Sequence, residues 1–198
     1  MIRPIHLAFL TLFVSCKEKK SSGPSTPVRD SAQTRATPYF PVKPYLQSQI
    51  REVDSLPGGI MKYIITEGGK QDSGYIKAAE FHELAADYIS DELSEPYFTE
   101  NFTEASFFDN SNGSGTFFYA AKDNKPSVKR IDVVSSKGDV YDNVKSIYLE
   151  KMSSRQDTVI IKKMYWKPGR YFQTITQKAT GHTKPVSEVV KVVWDNRD

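Results

Sequence analysis

Adjacent aromatic pairs are the residues whose type and spacing offer the clearest recognition chemistry in this chain. Phe107-Phe108, Phe117-Phe118, Tyr165-Trp166 and Tyr171-Phe172 each fall in a stretch that reads as a strand. Successive side chains of a strand point to opposite faces, so each pair puts one ring on either face of a sheet. One ring can enter a core; the other meets solvent, a partner or a hollow. Aromatic side chains are enriched in interface cores. Tyr165, Trp166, Tyr171 and Phe172 flank the tight turn Lys167-Pro168-Gly169, which brings both pairs to one end of a single hairpin. One member of each pair is therefore expected to bind a partner. Which member faces outward stays open, because a one-residue change of register exchanges the faces.

Catalytic chemistry has little to build on. His82-Glu83-Leu84-Ala85-Ala86 begins like the zinc-protease helix His-Glu-x-x-His, but Ala86 stands where the second histidine belongs. Catalytic zinc needs three protein ligands, and His6, His82 and His182 are far apart in the chain. No Gly-x-Ser-x-Gly elbow occurs. Gly113-Ser114-Gly115 lies between strands and not ahead of a helix, so it is not a phosphate loop. Glu80, Glu83, Asp87, Asp91 and Glu92 crowd one helix and read as a solvated face. A non-enzymatic protein is expected, without metal or cofactor. Nucleic acid is not an expected partner: acidic and basic residues are interspersed, and the formal charge of +3 falls by one if Arg3 is removed with a leader.

The start of the chain has the anatomy of an export signal. Arg3 makes a positive start, Leu7 to Val14 an apolar core, and Ser15 is the small residue before a cut. The run is too short to span a membrane, which takes roughly 20 apolar residues. Leu12-Phe13-Val14-Ser15-Cys16 resembles the lipobox of bacterial lipoproteins, with Phe13 where Leu is favoured. The resemblance implies cleavage before Cys16, a diacylglycerol on its sulfur and a further acyl chain such as palmitate on its amino group. Two or more chains give lasting attachment where one does not. The cysteine count agrees. Cys16 is the only cysteine, so no intramolecular disulfide can form, and acylation removes a thiol that would be exposed in an oxidising compartment.

Residues 16–37 read as a lipidated cysteine followed by a disordered tether. Lys17-Glu18-Lys19-Lys20 and Ser21-Ser22-Gly23-Pro24-Ser25-Thr26-Pro27 carry almost nothing that could join a core. At the scale of a flexible chain the tether reaches roughly 25 Å. The charged run after Cys16 is similar to surface-export signals of Bacteroidetes lipoproteins. Asp30-Ser31-Ala32 looks like the Asp-Ser/Thr-apolar site that the same phylum glycosylates, which makes Ser31 a candidate.

Residues 38–198 are expected to form a single α+β domain. Val42, Tyr45, Leu46, Ile50 and Val53 fall on one helical face, and Pro57-Gly58-Gly59 stops the helix. A strand over Ile60–Thr66, turn residues 67–74 and a short return strand near Tyr75–Ile76 predict an N-terminal hairpin. Ala78 to Leu93 predicts a second helix, ended by Glu95-Pro96. The period then changes. Phe102–Phe108, Thr116–Lys122, Val128–Ser135, Lys145–Met152, Thr158–Trp166, Arg170–Lys178 and Ser187–Trp194 read as about seven strands joined by short turns. Such connections force antiparallel neighbours. The expected fold is an antiparallel β-meander plus the hairpin, with the two helices packed on one face.

The order of these residues resembles a family of small Bacteroidetes lipoproteins without an assigned activity. It rests on Tyr39-Phe40-Pro41-Val42-Lys43-Pro44-Tyr45-Leu46, Met61-Lys62-Tyr63-Ile64-Ile65, Glu80-Phe81-His82-Glu83-Leu84 and Tyr171-Phe172-Gln173-Thr174-Ile175. The resemblance implies an exported helix-and-meander protein held by lipid in the cell envelope, most simply at the outer membrane, on its periplasmic or surface side. It supplies no functional residues.

Two classes of function follow. The first is a membrane-anchored, non-enzymatic binding or structural module that meets an envelope protein or glycan on its helix-free sheet face. The second is a carrier that holds a lipid or other apolar ligand between sheet and helices. An apolar cavity of roughly 300–1,000 Å³ under the helices favours the carrier; a filled core with an exposed aromatic patch favours the binding module.

Overall fold

Val42–Asp54 forms the first helix, α1, and its buried residues are Val42, Tyr45, Leu46, Ile50 and Val53, the face that the spacing predicts. Pro41 precedes the first helical residue, and Pro44 sits in the first turn, where a missing N–H costs no intrahelical bond. This is a computed structural model that describes residues 39–136, 140–181, 183 and 185–195. Cys16, the leader, the tether with Ser31, and His182 lie outside the described residues.

Strand β1, Ile60–Thr66, pairs with β2, Gln71–Ile76. The return strand is longer than the expected Tyr75–Ile76 because its register runs the length of β1, from Ile60↔Ile76 to Ile65↔Gln71. Pairing satisfies backbone groups that a loop would leave to water. The turn shrinks to the residues between, where Gly68 and Gly69 take φ of 93° and 78°.

The expected helix over Ala78–Leu93 is broken. Helix α2 covers Ala78–Ala85, a 3₁₀ turn covers Ala86–Ile89, Ser90 is extended, and a second 3₁₀ turn covers Asp91–Leu93. Tertiary contacts override helix propensity here. Tyr88 is fully buried, and its hydroxyl donates to the Gln173 carbonyl at 2.8 Å. The Glu92 carboxylate accepts the backbone N–H groups of Ser127 and Val128, both at 2.8 Å. A short third helix, α3, follows at Tyr97–Asn101, where no helix was expected. It seats Phe98 among Tyr39, Phe102 and Tyr119.

The remaining strands are β3 (Phe102–Asp109), β4 (Ser114–Ala121), β5 (Val128–Ser135), β6 (Val144–Arg155), β7 (Thr158–Lys167), β8 (Tyr171–Thr180) and β9 (Val186–Val193). All nine lie in one open antiparallel sheet, ordered β2-β1-β9-β8-β7-β6-β5-β4-β3, so the fold is α+β. The hairpin is part of that sheet: β1 pairs with β9 from Met61↔Val193 to Thr66↔Glu188, which makes β9 an interior strand. β9 carries Val189 and Val193 on one face and Val190 and Val192 on the other, as an interior strand requires.

The helical segments lie against one face of this sheet. Leu149, Met164, Trp166, Phe172 and Val192 are fully buried there. Tyr88 and Phe81 fill the space above them: Tyr88 lies 5.3 Å from Trp166 and 5.1 Å from Phe172, and Phe81 lies 5.7 Å from Trp194.

The acidic run of the second helical segment is a solvated face only in part: Glu83 and Asp91 are exposed, while Glu80, Asp87 and Glu92 are half-buried. Asp87 takes Lys162 and Lys151, Glu80 takes Lys62, and Asp91 takes Lys43 at 2.6 Å. Lys162, Lys151 and Lys62 stand on strands, so two of these carboxylates tie the broken helix to the sheet. His82 pairs with Asp54 at 2.9 Å, joining α2 to α1.

Candidate functional site

The turn between β7 and β8 positions the four expected binding residues. Arg170 N–H donates to the Lys167 carbonyl at 3.1 Å, and Gly169 has φ 68°. Proline followed by a positive-φ glycine is the signature of a type II turn. The register it sets is Trp166↔Phe172, Tyr165↔Gln173 and Lys167↔Tyr171.

That register and the helices above it resolve the faces. Trp166 and Phe172 are 0 % exposed and belong to the core, so neither is available to a partner. Their removal from the candidate set has a plain cause: Tyr88 packs on both rings from the helical side. Tyr165 and Tyr171 point the other way. They are half-buried on the uncovered face, with ring centroids 5.9 Å apart. The pairs farther along the sheet divide similarly. Phe117 is buried and Phe118 half-buried, while Phe107 and Phe108 near the β3–β4 turn are both exposed.

Beside Tyr171 the uncovered face holds a groove of about 560 Å³. Its floor is β1, β9 and β8, and its wall at one end is the β7–β8 turn. Tyr63 and Tyr171 supply aromatic surface, Gln71 and Gln173 amides, and Lys167 and Lys191 positive charge. Arg170 and Asp195 stand at the same end. The Lys191 ammonium lies 4.3 Å from the centre of the Tyr171 ring, an attraction of the cation–π kind. Lys191 stands directly between Tyr63 and Gln173 across the ladder. Loss of water around Tyr171 raises its phenol pKa above the ordinary value; Tyr165 adds to the shift and Arg170 opposes it. The tyrosine is therefore a neutral hydrogen-bonding group at physiological pH.

The aromatic row continues beyond the groove. Tyr165 faces Tyr148 on β6, whose other neighbour Asp132 faces Phe118 on β4. Burial, with the Tyr148 hydroxyl donating to Glu150 at 2.9 Å, pushes that phenol up to about 12. Arg130 grips Asp132 through two nitrogens at 2.7 and 2.8 Å and lies over Phe118 at 5.9 Å. This half of the face is satisfied by its own side chains.

Tyr63, Gln71 and Lys191 are site residues that the sequence does not single out. Tyr63 and Gln71 belong to the β1–β2 hairpin, which meets Lys191 only through the β1–β9 pairing, and no local pattern reports it. Val-rich β9, apolar on both faces, was the available signal.

A second hollow of about 450 Å³ lies among the helical segments, lined by Phe40, Pro41, Leu93 and Phe98 among others, and by no residue of the sheet. Among the described residues no three His, Cys, Asp or Glu side chains are grouped to hold a metal ion. Among them, too, no helix is long and apolar enough to cross a membrane. No protein-family model, no curated protein and no solved structure matches the chain.

Proposed function

We propose that this protein is a lipid-anchored, non-enzymatic binding module of the bacterial cell envelope, similar in its sequence to small Bacteroidetes lipoproteins. Cys16 carries the lipid and holds the domain at the outer membrane, and the tether lets it search for a partner. The partner, an envelope protein or glycan, docks on the sheet face away from the helices. The observation that carries this reading is the division of the two aromatic pairs. Trp166 and Phe172 complete the core, while Tyr165 and Tyr171 lie beside a groove on a face that no described element of the chain covers. An uncovered face that combines aromatic anchors with an amphipathic groove has the composition of a recognition surface.

The carrier alternative has less support. Tyr88, Phe81, Trp166 and Phe172 occupy the space between helices and sheet where an acyl chain would have to lie.

Crosslinking the acylated protein in intact envelopes, followed by recovery of its partners, tests the proposal. Changing both Tyr165 and Tyr171 to Ser is expected to abolish recovery of a specific partner while the protein stays folded. Equal recovery from the double variant would sink it, and a lipid extracted from the folded domain would favour the carrier.

A further inference from the structure

Resting on that reading, we infer that the groove beside Tyr171 takes an acidic oligosaccharide, a chain of sugar rings bearing carboxylates.

The first argument is about backbone. The groove floor is β1, β9 and β8, and each of these strands is paired on both sides. Their N–H and C=O groups are spent in the sheet ladder, so an extended peptide cannot add a strand to this floor; near the groove that mode is open only at the outer edge of β2, beyond Gln71. Recognition must run through side chains. Those on offer include the faces of tyrosine rings and the aliphatic groups of Ile65, Val189 and Val193, suited to the C–H faces of a sugar, and the amides of Gln71 and Gln173. An amide carries both donors and an acceptor, as hydroxyl groups require.

The second argument is charge. Among the described residues, Lys167, Lys191 and Arg170 line the groove against one carboxylate, Asp195. Even with Asp195 set against Arg170, two ammonium groups remain. Among the described residues neither lysine has a carboxylate partner within salt-bridge distance. Lys191 is also placed: its ammonium rests on the Tyr171 ring, midway between Tyr63 and Gln173 in the cross-strand row. A sugar ring against Tyr63 would therefore present a carboxylate to Lys191. In this arrangement Lys191 meets the carboxylate, and Tyr171 both holds Lys191 in place and lends ring surface to the groove.

The probes are an oligogalacturonate, its methyl ester, a neutral cello-oligosaccharide and poly-glutamate, titrated against the full acylated chain in detergent. Oligogalacturonate is expected to bind at least tenfold tighter than the other three and to weaken with added salt. Lys191→Met is expected to cost at least tenfold and to flatten the salt dependence. Tyr171→Leu is expected to weaken binding of the acid at least threefold more than binding of the ester. Lys167→Met serves as a second charge variant if Lys191→Met unfolds. Equal binding of acid and ester, equal binding of poly-glutamate, or no binding of oligogalacturonate would each overturn the inference. If a neutral sugar or poly-glutamate binds and is lost on changing Tyr63 and Tyr171 to Ser, the binding-module reading survives without it. If envelope partners persist without Tyr165 and Tyr171, that broader reading falls instead.

Discussion

Trp166 and Phe172 face each other across β7 and β8 with ring centroids 5.4 Å apart and planes inclined by 18°. Tyr88 closes over both from the broken helical segment. The rings turned inward, Trp166 and Phe172, are the two without a hydroxyl group. The helical segment packs Tyr88 on this face, where its hydroxyl also donates to the Gln173 carbonyl. The two outward tyrosines follow as a consequence.

The two faces should therefore respond differently to truncation. Trp166→Ala or Phe172→Ala removes a fully buried ring and is expected to cost about 3–5 kcal/mol. Tyr165→Ser or Tyr171→Ser removes a half-buried ring and is expected to cost about 1 kcal/mol. Urea denaturation of the four variants measures this. Similar losses on both faces would mean that the outward tyrosines are structural.

Stability should fall on the acid side through Asp87 and Glu92. Burial works to raise the Asp87 pKa, but the hydrogen bond and charge of Lys162, joined by Lys151, outweigh it and hold the carboxyl below its ordinary value. At Glu92 burial again works upward, and the donated bonds from Ser127 and Val128 outweigh it. Both carboxylates have lower pKa values folded than unfolded, so on acidification the unfolded chain takes up protons first. Their contribution is present above the unfolded values and is lost as pH falls through the folded ones, from about pH 5 downward. Thermal midpoints measured down to about pH 3 should drop less steeply for Asp87→Asn than for the native protein. An unchanged slope would count against the Asp87 latch.

The anchor is open to direct chemistry. Cells fed labelled palmitate are expected to label this protein through residue 16, and Cys16→Ala should abolish both the label and its retention in the membrane fraction. Because the sequence has no other cysteine, label surviving in that variant would reside elsewhere, and the lipoprotein assignment would fail.

Much of this fold is legible one residue at a time. The α1 face from Val42 to Val53 and the period-two alternation through β4, β5 and β6 follow from local periodicity, and burial of alternate residues answers to it. What stays hidden depends on distant parts of the chain. Ala86–Leu93 reads as helix, yet Tyr88 and Glu92 have partners on β8 and β5 that a continuous helix would not reach together. β1 and β9 lie at opposite ends of the domain, and their pairing creates the groove floor. Tyr165 and Tyr171 can be picked out as aromatic, but Tyr63, Gln71 and Lys191 acquire their relation to them only in the finished sheet.

The final expectation separates a groove from a merely aromatic face. Phe118 shares the uncovered face with Tyr165 and Tyr171 and, like them, belongs to an adjacent aromatic pair. Its surroundings differ: Arg130 lies over the ring while holding Asp132 through two nitrogens, so the local polar groups are already satisfied. Tyr171 instead borders the groove and holds Lys191 over its ring. Aromatic anchors in the centre of an interface lose about 2 kcal/mol or more of binding on truncation, while bystanders lose little. Tyr171→Ser is thus expected to weaken partner binding by roughly thirtyfold. Phe118→Ser should leave it nearly unchanged. Binding isotherms for the recovered partner, with folding checked by thermal melts, make the comparison. Equal losses would spread recognition over the whole sheet and remove the groove from its centre.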